Sequence, residues 1–151
     1  FRVFTLIGDG KLLPNLRKIV DEHENKDRIT FLGACSPERV AQELKQNDLF
    51  LLPSVRDASG DKEGIPVSLM EAMASGVIVL STFHSGIPEL IEDGKTGFLV
   101  PERDANAIKS RMQDIVAHNS LSSIRVAARA KVETEFNAST LSNQLLSILT
   151  N

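Results

Sequence analysis

The sequence predicts a layered α/β domain, in which a parallel sheet carries helices on both faces. Three observations predict it: five short apolar runs suited to strands, helical spacing of apolar residues between them, and glycine or proline at most junctions. Strands that alternate with helices are joined by right-handed crossovers and therefore run parallel. The expected architecture is Rossmann-like.

The predicted strands are Arg2 to Ile7, Arg28 to Leu32, Asp48 to Leu52, Val77 to Ser81 and Gly97 to Val100. The predicted helices run from Leu12 to about Glu24, from Ser36-Pro37 to about Gln46, from near Pro66 to Gly76, from the cap Asp104 through Val116, from Leu121 to about Phe136 and from Ser139 to Leu149. The third strand is apolar on both faces, which is typical of a central parallel strand.

The stretch Glu63 to Gly76, EGIPVSLMEAMASG, contains the main candidate site. Its two carboxylates, Glu63 and Glu71, are separated by seven residues. Pro66 suits the first turn of a helix, and Gly76 suits its end because glycine readily takes the left-handed conformation. We therefore expect one carboxylate in the loop before the helix and the other about one turn into it.

The start of this helix is predicted to bind an anion. The amides of Val67, Ser68 and Leu69 have no partner in the first turn, and the helix dipole favours negative charge there. Since helical side chains lean toward the N-terminus, Glu71 can reach back beside a bound phosphate while Glu63 approaches from the loop. Carboxylates accept hydrogen bonds from sugar hydroxyls, so a pyrophosphate flanked by a ribose at Glu71 and a second sugar at Glu63 fits this arrangement.

With VIVLST, SGIPELI and DGKTGFLVP further on, this stretch resembles the C-terminal, donor-binding domain of GT-B glycosyltransferases of the retaining glycosyltransferase family 4 group. The stretches DKEGIPVSLMEAM and FHSGIPELIEDGKTGFLVPE are similar to bacterial exopolysaccharide and colanic-acid type transferases. The resemblance implies a UDP- or GDP-linked sugar as substrate, no cofactor, no metal, and retention of anomeric configuration. It implies donor contacts at Glu63, Gly64, Ile65, Val67, Ser68, Leu69, Glu71, Gly8, Gly33 and Ala34. Glu63 is the catalytic candidate; binding is favoured for it, and a nucleophilic role stays open.

The resemblance also implies that residues 1–151 are a donor domain truncated at its N-terminus. In the resembled family an acceptor domain, an Arg and a Lys that bind diphosphate lie upstream. The complete protein is then expected to transfer sugar to a polysaccharide or glycolipid acceptor, whereas this chain alone is not. A non-catalytic nucleotide-sugar-binding module and a GT-B epimerase or phosphorylase are the alternatives, because fold alone does not fix function.

Length, charge and composition exclude several classes of function. The length suits one domain, and the net charge of −3 gives no general attraction to nucleic acid or anionic membrane. No apolar run approaches the 18 or so residues of a membrane span. The single Cys35 excludes an internal disulfide and suits a reducing compartment. We expect a cytoplasmic protein that meets the membrane only peripherally, through its other part.

Several motifs fail or stay open. The dinucleotide fingerprint fails because Leu13 replaces its third glycine, and the phosphate loop fails because Glu89 replaces the first glycine before Gly94-Lys95-Thr96. His84 lies beyond a strand's carboxyl end, where ligands bind, although packing is the more usual role of a lone histidine. Two further possibilities are phosphate contacts by Arg56 and Lys62, or a metal held by Asp61, Glu63, Glu71 and His84, but no ligand spacing supports the metal.

Overall fold

The structure is a computed structural model that describes residues 3–56, 64–118 and 120–149. Its strands are β1 (Phe4–Ile7), β2 (Ile29–Gly33), β3 (Leu49–Leu52), β4 (Ile78–Thr82) and β5 (Phe98–Val100). Its helices are α1 (Leu13–Asp21), α2 (Pro37–Gln46), α3 (Val67–Ala74), α4 (Ile87–Leu90), α5 (Ala105–Ala117), α6 (Ser122–Glu135) and α7 (Ala138–Leu149), with a 3-10 turn at Lys26–Arg28. Strands and helices alternate as predicted.

The chain divides into two compact units, one up to Glu43 and one from Leu44 onward. In the first unit β1 and β2 pair in parallel, with Phe4 opposite Ile29 and an irregularity at Ile7. The Arg17 guanidinium of α1 lies over the Phe31 ring of β2, 4.8 Å from its centroid. This unit is a strand, helix, strand crossover, as its sequence predicts.

The second unit contains a parallel sheet in the order β3, β4, β5. The middle strand β4 is buried along its whole length, whereas β3 is only half-buried. The expectation that Asp48 to Leu52 forms a central strand is therefore wrong within this sheet, since β3 is its first strand and β4 its centre. Parallel strands flanked by helices confirm the Rossmann-like fold class.

The core of the second unit forms around β4. Ile78 and Leu80 share a cluster with Ile115 of α5 and Ile124 of α6, and Val79, which points to the opposite face, is fully buried too. Burial of both faces explains why the run Val77 to Leu80, VIVL, is continuously apolar rather than alternating.

Local signals set several helix ends. Gly76, at φ +78°, follows α3, and the amides of Gly76 and Val77 donate to the carbonyls of Met73 and Ala72, which is the glycine-closed helix end that was predicted. The Asp104 carboxylate accepts the Ala107 amide at 2.8 Å and caps α5. The Ser36 hydroxyl accepts the Arg39 amide of α2 at 3.3 Å.

Other boundaries differ from the sequence prediction. Helix α1 ends at Asp21 instead of about Glu24, and its last turn closes through the Glu22 amide on the Lys18 carbonyl. The single-turn helix α4 was not predicted, because one turn is too short to show periodicity.

Helix α7 leaves Leu141, Leu145, Ile148 and Leu149 between 46% and 73% exposed.

The stretch Gly94-Lys95-Thr96 is a turn between β4 and β5. The Gly94 amide donates to the Gly97 carbonyl at 2.8 Å, and the buried Thr96 hydroxyl accepts the Glu92 amide at 2.9 Å. Lys131 of α6 pairs with Glu92, so the turn is fastened to the helix layer. Across the described ranges no helix combines the length and apolarity needed to cross a bilayer.

Candidate functional site

The start of α3 has the geometry expected of an anion site, with one correction. Pro66 is extended, at φ −63° and ψ 125°, and precedes the first helical residue, Val67. Among the described residues, none accepts a hydrogen bond from the amide of Val67 or Ser68. The Leu69 amide, however, donates to the Pro66 carbonyl at 3.1 Å. The prediction of three unpaired amides is therefore wrong for Leu69, because the turn at Pro66 uses its donor.

Helix α3 separates its buried and open faces clearly. Leu69, Ala72 and Met73 are fully buried. Val67 is 65% exposed, and Glu71, one turn later on the same face, is exposed too. The carboxylate of Glu71 is thus on the open side of the helix whose first two amides have no partner within the described ranges. Glu63, like Asp61 and Lys62, lies outside the described residues, so its predicted position opposite Glu71 stays a prediction.

The loop before α3 packs closely on the loop after β4. A Cβ built on Gly86 would lie 2.9 Å from Ile65 Cγ1, nearer than real Cβ atoms come to other heavy atoms. Gly86 therefore leaves the space that Ile65 occupies, next to exposed Gly64. This contact joins the entrance of α3 to the carboxyl edge of the sheet.

Gly86→Ala is expected to destabilise the protein by about 1 to 3 kcal/mol, because the new methyl group overpacks against Ile65. Urea unfolding measures the effect. Gly10→Ala is the matched control, since a Cβ there would meet nothing within 4 Å and its φ is not left-handed. Equal unfolding midpoints for the two variants would contradict the close contact.

Two buried hydroxyls attach the segment after β3 to β4. The Ser81 hydroxyl donates to the Leu52 carbonyl at 2.6 Å, and the Thr82 hydroxyl donates to the Ser54 carbonyl at 2.5 Å. Both side chains are buried, and these bonds satisfy their polar groups. The carboxyl ends of β3 and β4 are therefore held together by side chains of β4.

His84 lies at this edge, as predicted, and is 5% exposed. Its Nδ1 is 2.7 Å from Oε1 of Glu102, a residue just after β5. Oε2 of Glu102 accepts the Arg56 amide at 2.9 Å, and the Arg103 guanidinium donates to the Arg56 carbonyl at 2.6 Å. Sequence reasoning missed Glu102. The available signal was a charged residue two positions after a strand, at the same sheet edge as His84.

The Arg56 amide, and after it His84, lowers the pKa of Glu102 below its usual 4.5. Since the folded pKa is depressed, the stabilisation from this carboxylate is present above about pH 4.5 and is lost as pH falls through the lower folded pKa. The melting temperature of wild type is expected to exceed that of Glu102→Gln at pH 7, and the difference is expected to shrink below pH 4.5. Thermal melts at several pH values check this, and a difference independent of pH would contradict it.

In the first unit, Gly8 and Gly33 lie together. The Gly8 amide donates to the Gly33 carbonyl at 2.8 Å, and their φ angles of +136° and +69° favour glycine. The Gly8 amide thus continues the pairing of β1 with β2, and the predicted donor contact of Gly8 stays a prediction. The structure does not test the predicted contacts of Gly33 and Ala34. In the described part of the chain, no group of three potential metal ligands comes together.

The described features define a Rossmann-like α/β fold with a polar edge at the carboxyl ends of its strands. Residues 2–131 match the family model for glycosyl transferases group 1. The chain belongs to this family. The family-level resemblance noted from the Glu63 to Gly76 stretch is therefore confirmed.

Curated relatives cover nearly the whole chain. A Salmonella typhimurium glycosyltransferase named for colanic acid biosynthesis is 43% identical over 148 residues, which are 97% of this chain and 36% of that protein. The amylovoran biosynthesis glycosyltransferase of Erwinia amylovora is 44% identical over 147 residues, with the same two coverages. The chain thus spans about a third of the length of these relatives.

Solved structures share the fold. HepE from Anabaena, crystallised with UDP, superposes with a TM-score of 0.85 at 22% identity, over 98% of this chain and 41% of that one. Sucrose-phosphate synthase from Thermosynechococcus elongatus superposes with a TM-score of 0.81 at 25% identity, over 97% of this chain and 37% of that one. The C-terminal domain of a glycosyl transferase group 1 protein from Francisella tularensis superposes with a TM-score of 0.71 at 22% identity. The match covers 84% of this chain and 63% of that one.

Proposed function

We propose that this chain is the donor-binding domain of a retaining glycosyltransferase. The complete protein would transfer a sugar from a UDP- or GDP-sugar to a growing polysaccharide or a glycolipid. One observation carries the proposal: α3 begins with the amides of Val67 and Ser68, which have no hydrogen-bond partner among the described residues, and has the exposed carboxylate of Glu71 one turn later. Membership of the glycosyl transferases group 1 family supports it.

In this proposal the donor diphosphate lies on the amides of Val67 and Ser68, where the helix dipole adds to the attraction. Glu71 accepts hydrogen bonds from the ribose hydroxyls, and Glu63 accepts them from the donor sugar. Gly64 and Ile65 form the wall between these two acids.

The reaction needs negative charge to be stabilised on the departing diphosphate while positive character grows at the anomeric carbon. Positioned hydrogen-bond donors provide such stabilisation without reorganising during the reaction. The α3 amides supply part of it, and an Arg and a Lys from the remainder of the protein supply the rest. No metal or cofactor takes part in the proposed reaction.

The remainder of the protein is proposed to include the acceptor-binding domain, since the curated relatives are about three times as long as this chain. The donors named here are nucleotide-sugars made in the cytoplasm, so we place the enzyme there. Contact with the membrane, where a lipid-linked acceptor is bound, would come through the other domain.

Isothermal titration of the complete protein with UDP-glucose, UDP-galactose and GDP-mannose tests the proposal. We expect saturable binding of at least one of them, followed by transfer of the labelled sugar to acceptor in a membrane extract. Absence of binding to every UDP- and GDP-sugar would overturn the proposed function. Binding with hydrolysis or epimerisation but no transfer would overturn the transferase activity alone.

A further inference from the structure

We propose that Glu102 is a positioning residue for the donor site, and that its carboxylate holds the segments after β3 and β4 in the arrangement that binds a nucleoside diphosphate. This inference rests on the proposed function. It concerns a residue outside the stretch Glu63 to Gly76, and it names no contact between Glu102 and the ligand.

Arg56 is held at both of its main-chain polar groups. Glu102 Oε2 accepts its amide at 2.9 Å, and the Arg103 guanidinium donates to its carbonyl at 2.6 Å. Both main-chain polar groups of Arg56 are therefore bound by two consecutive residues after β5. Arg103 has a φ of +59°, an uncommon conformation for a residue other than glycine. The main chain leaving β3 is thus fixed at a defined point.

The loop after β4 is held through the other carboxylate oxygen of Glu102. Glu102 Oε1 lies 2.7 Å from Nδ1 of His84, and the amide of His84 donates to the Thr82 carbonyl at 2.7 Å. Two residues later, Gly86 lies against Ile65, just before α3 begins. A displacement of His84 would therefore be passed through Gly86 to Ile65 and to the start of α3.

One carboxylate thus bridges two segments with its two oxygens. One of its partners, His84, is almost fully buried. A surface ion pair contributes little to stability. A bridge that fixes the loops of a binding site instead lowers the cost of ordering them when the ligand binds. We therefore expect its loss to weaken ligand binding more than it weakens the fold.

To bridge the two segments, the side chain at position 102 must be long enough to form both hydrogen bonds. Substitutions of Glu102 can separate this length, or reach, from the negative charge. Glu102→Gln keeps the reach, because its amide oxygen can accept from Arg56 and its NH₂ can donate to a neutral imidazole nitrogen. Glu102→Asp keeps the charge but is one methylene shorter, so it cannot reach both partners. Glu102→Ala loses both. Glu133→Gln is the control, since Glu133 forms an exposed pair with Arg129 within α6.

The experiment is isothermal titration of UDP and GDP into the complete protein, with a thermal melt of every variant. Glu102→Ala and Glu102→Asp are expected to raise the dissociation constant about tenfold, because the two loops that the bridge held must then be ordered when the ligand binds. Glu102→Gln is expected to stay within about threefold of wild type, because neutral hydrogen bonds replace the charged ones. Glu133→Gln is expected to bind like wild type.

The outcomes separate this inference from the proposed function. Failure of wild type to bind either nucleotide would overturn the proposed function, and this inference with it. Normal binding by wild type and by Glu102→Asp, with only a lower melting temperature for the variant, would overturn this inference alone. A loss of affinity in Glu102→Gln that is larger than the loss in Glu102→Asp would show that charge matters rather than reach, and would also overturn it. If the melting temperature of Glu102→Ala is too low for titration, the binding measured for Glu102→Asp decides the test.

Discussion

Glu71→Ala is expected to raise the dissociation constant for the bound nucleotide-sugar by about 10- to 100-fold, as charge-assisted hydrogen bonds contribute roughly 1.5 to 3 kcal/mol. The physical reason is the loss of a carboxylate that accepts from two neighbouring ribose hydroxyls. Glu71 is exposed on α3 and one turn beyond Val67, so removing its side chain leaves the buried face of the helix unchanged. Isothermal titration of the complete protein measures the effect.

The control for Glu71→Ala is Glu133→Ala, which removes an exposed helix glutamate of α6. Affinity equal to wild type in Glu71→Ala would remove the role assigned to that residue. Glu63→Ala is expected to weaken binding as well. Because Glu63 lies outside the described residues, its substitution tests the sequence pattern rather than an observed geometry. Unchanged affinity in both variants would leave the amides of α3 as the only support for a donor site.

Leu69→Ala is expected to lower the free energy of unfolding by about 2 to 5 kcal/mol, the usual cost of emptying a buried leucine site. Leu69 is fully buried on the inner face of α3. Urea unfolding followed by circular dichroism gives the measurement.

Val126→Ala is the matched control for this core substitution. Val126 of α6 is 70% exposed, so its truncation is expected to change the free energy of unfolding by no more than about 0.5 kcal/mol. Similar losses in the two variants would mean that the inner face of α3 is not packed as described.

The features predicted best depend on residues close in sequence. Gly76 ends α3 and Asp104 caps α5, because each acts on amides or carbonyls within a few positions of itself. Strand positions also followed from apolar runs. The position of β3 in its sheet did not, since strand order depends on pairing across the fold rather than on the composition of one run.

The candidate site was predicted only in part for the same reason. The anion-binding helix start was read from Pro66 and the residues after it. The local turn that uses the Leu69 amide was not foreseen. Glu102 was missed because its partners lie 18 and 46 positions away in the chain, beyond the reach of any local pattern. The local sequence Pro101 to Asp104, PERD, does not by itself show whether the carboxylate of Glu102 bridges two segments or is only solvated.

The way Glu102 holds Arg56 has an evolutionary consequence. Arg56 contributes only its main-chain amide and carbonyl to these contacts. Every amino acid except proline supplies both groups, so drift at position 56 would leave the bridge intact. His84 and Glu102 act through their side chains, so homologues are expected to change these two positions jointly. Covariation between them would reveal the link where a search for invariant motifs would overlook it.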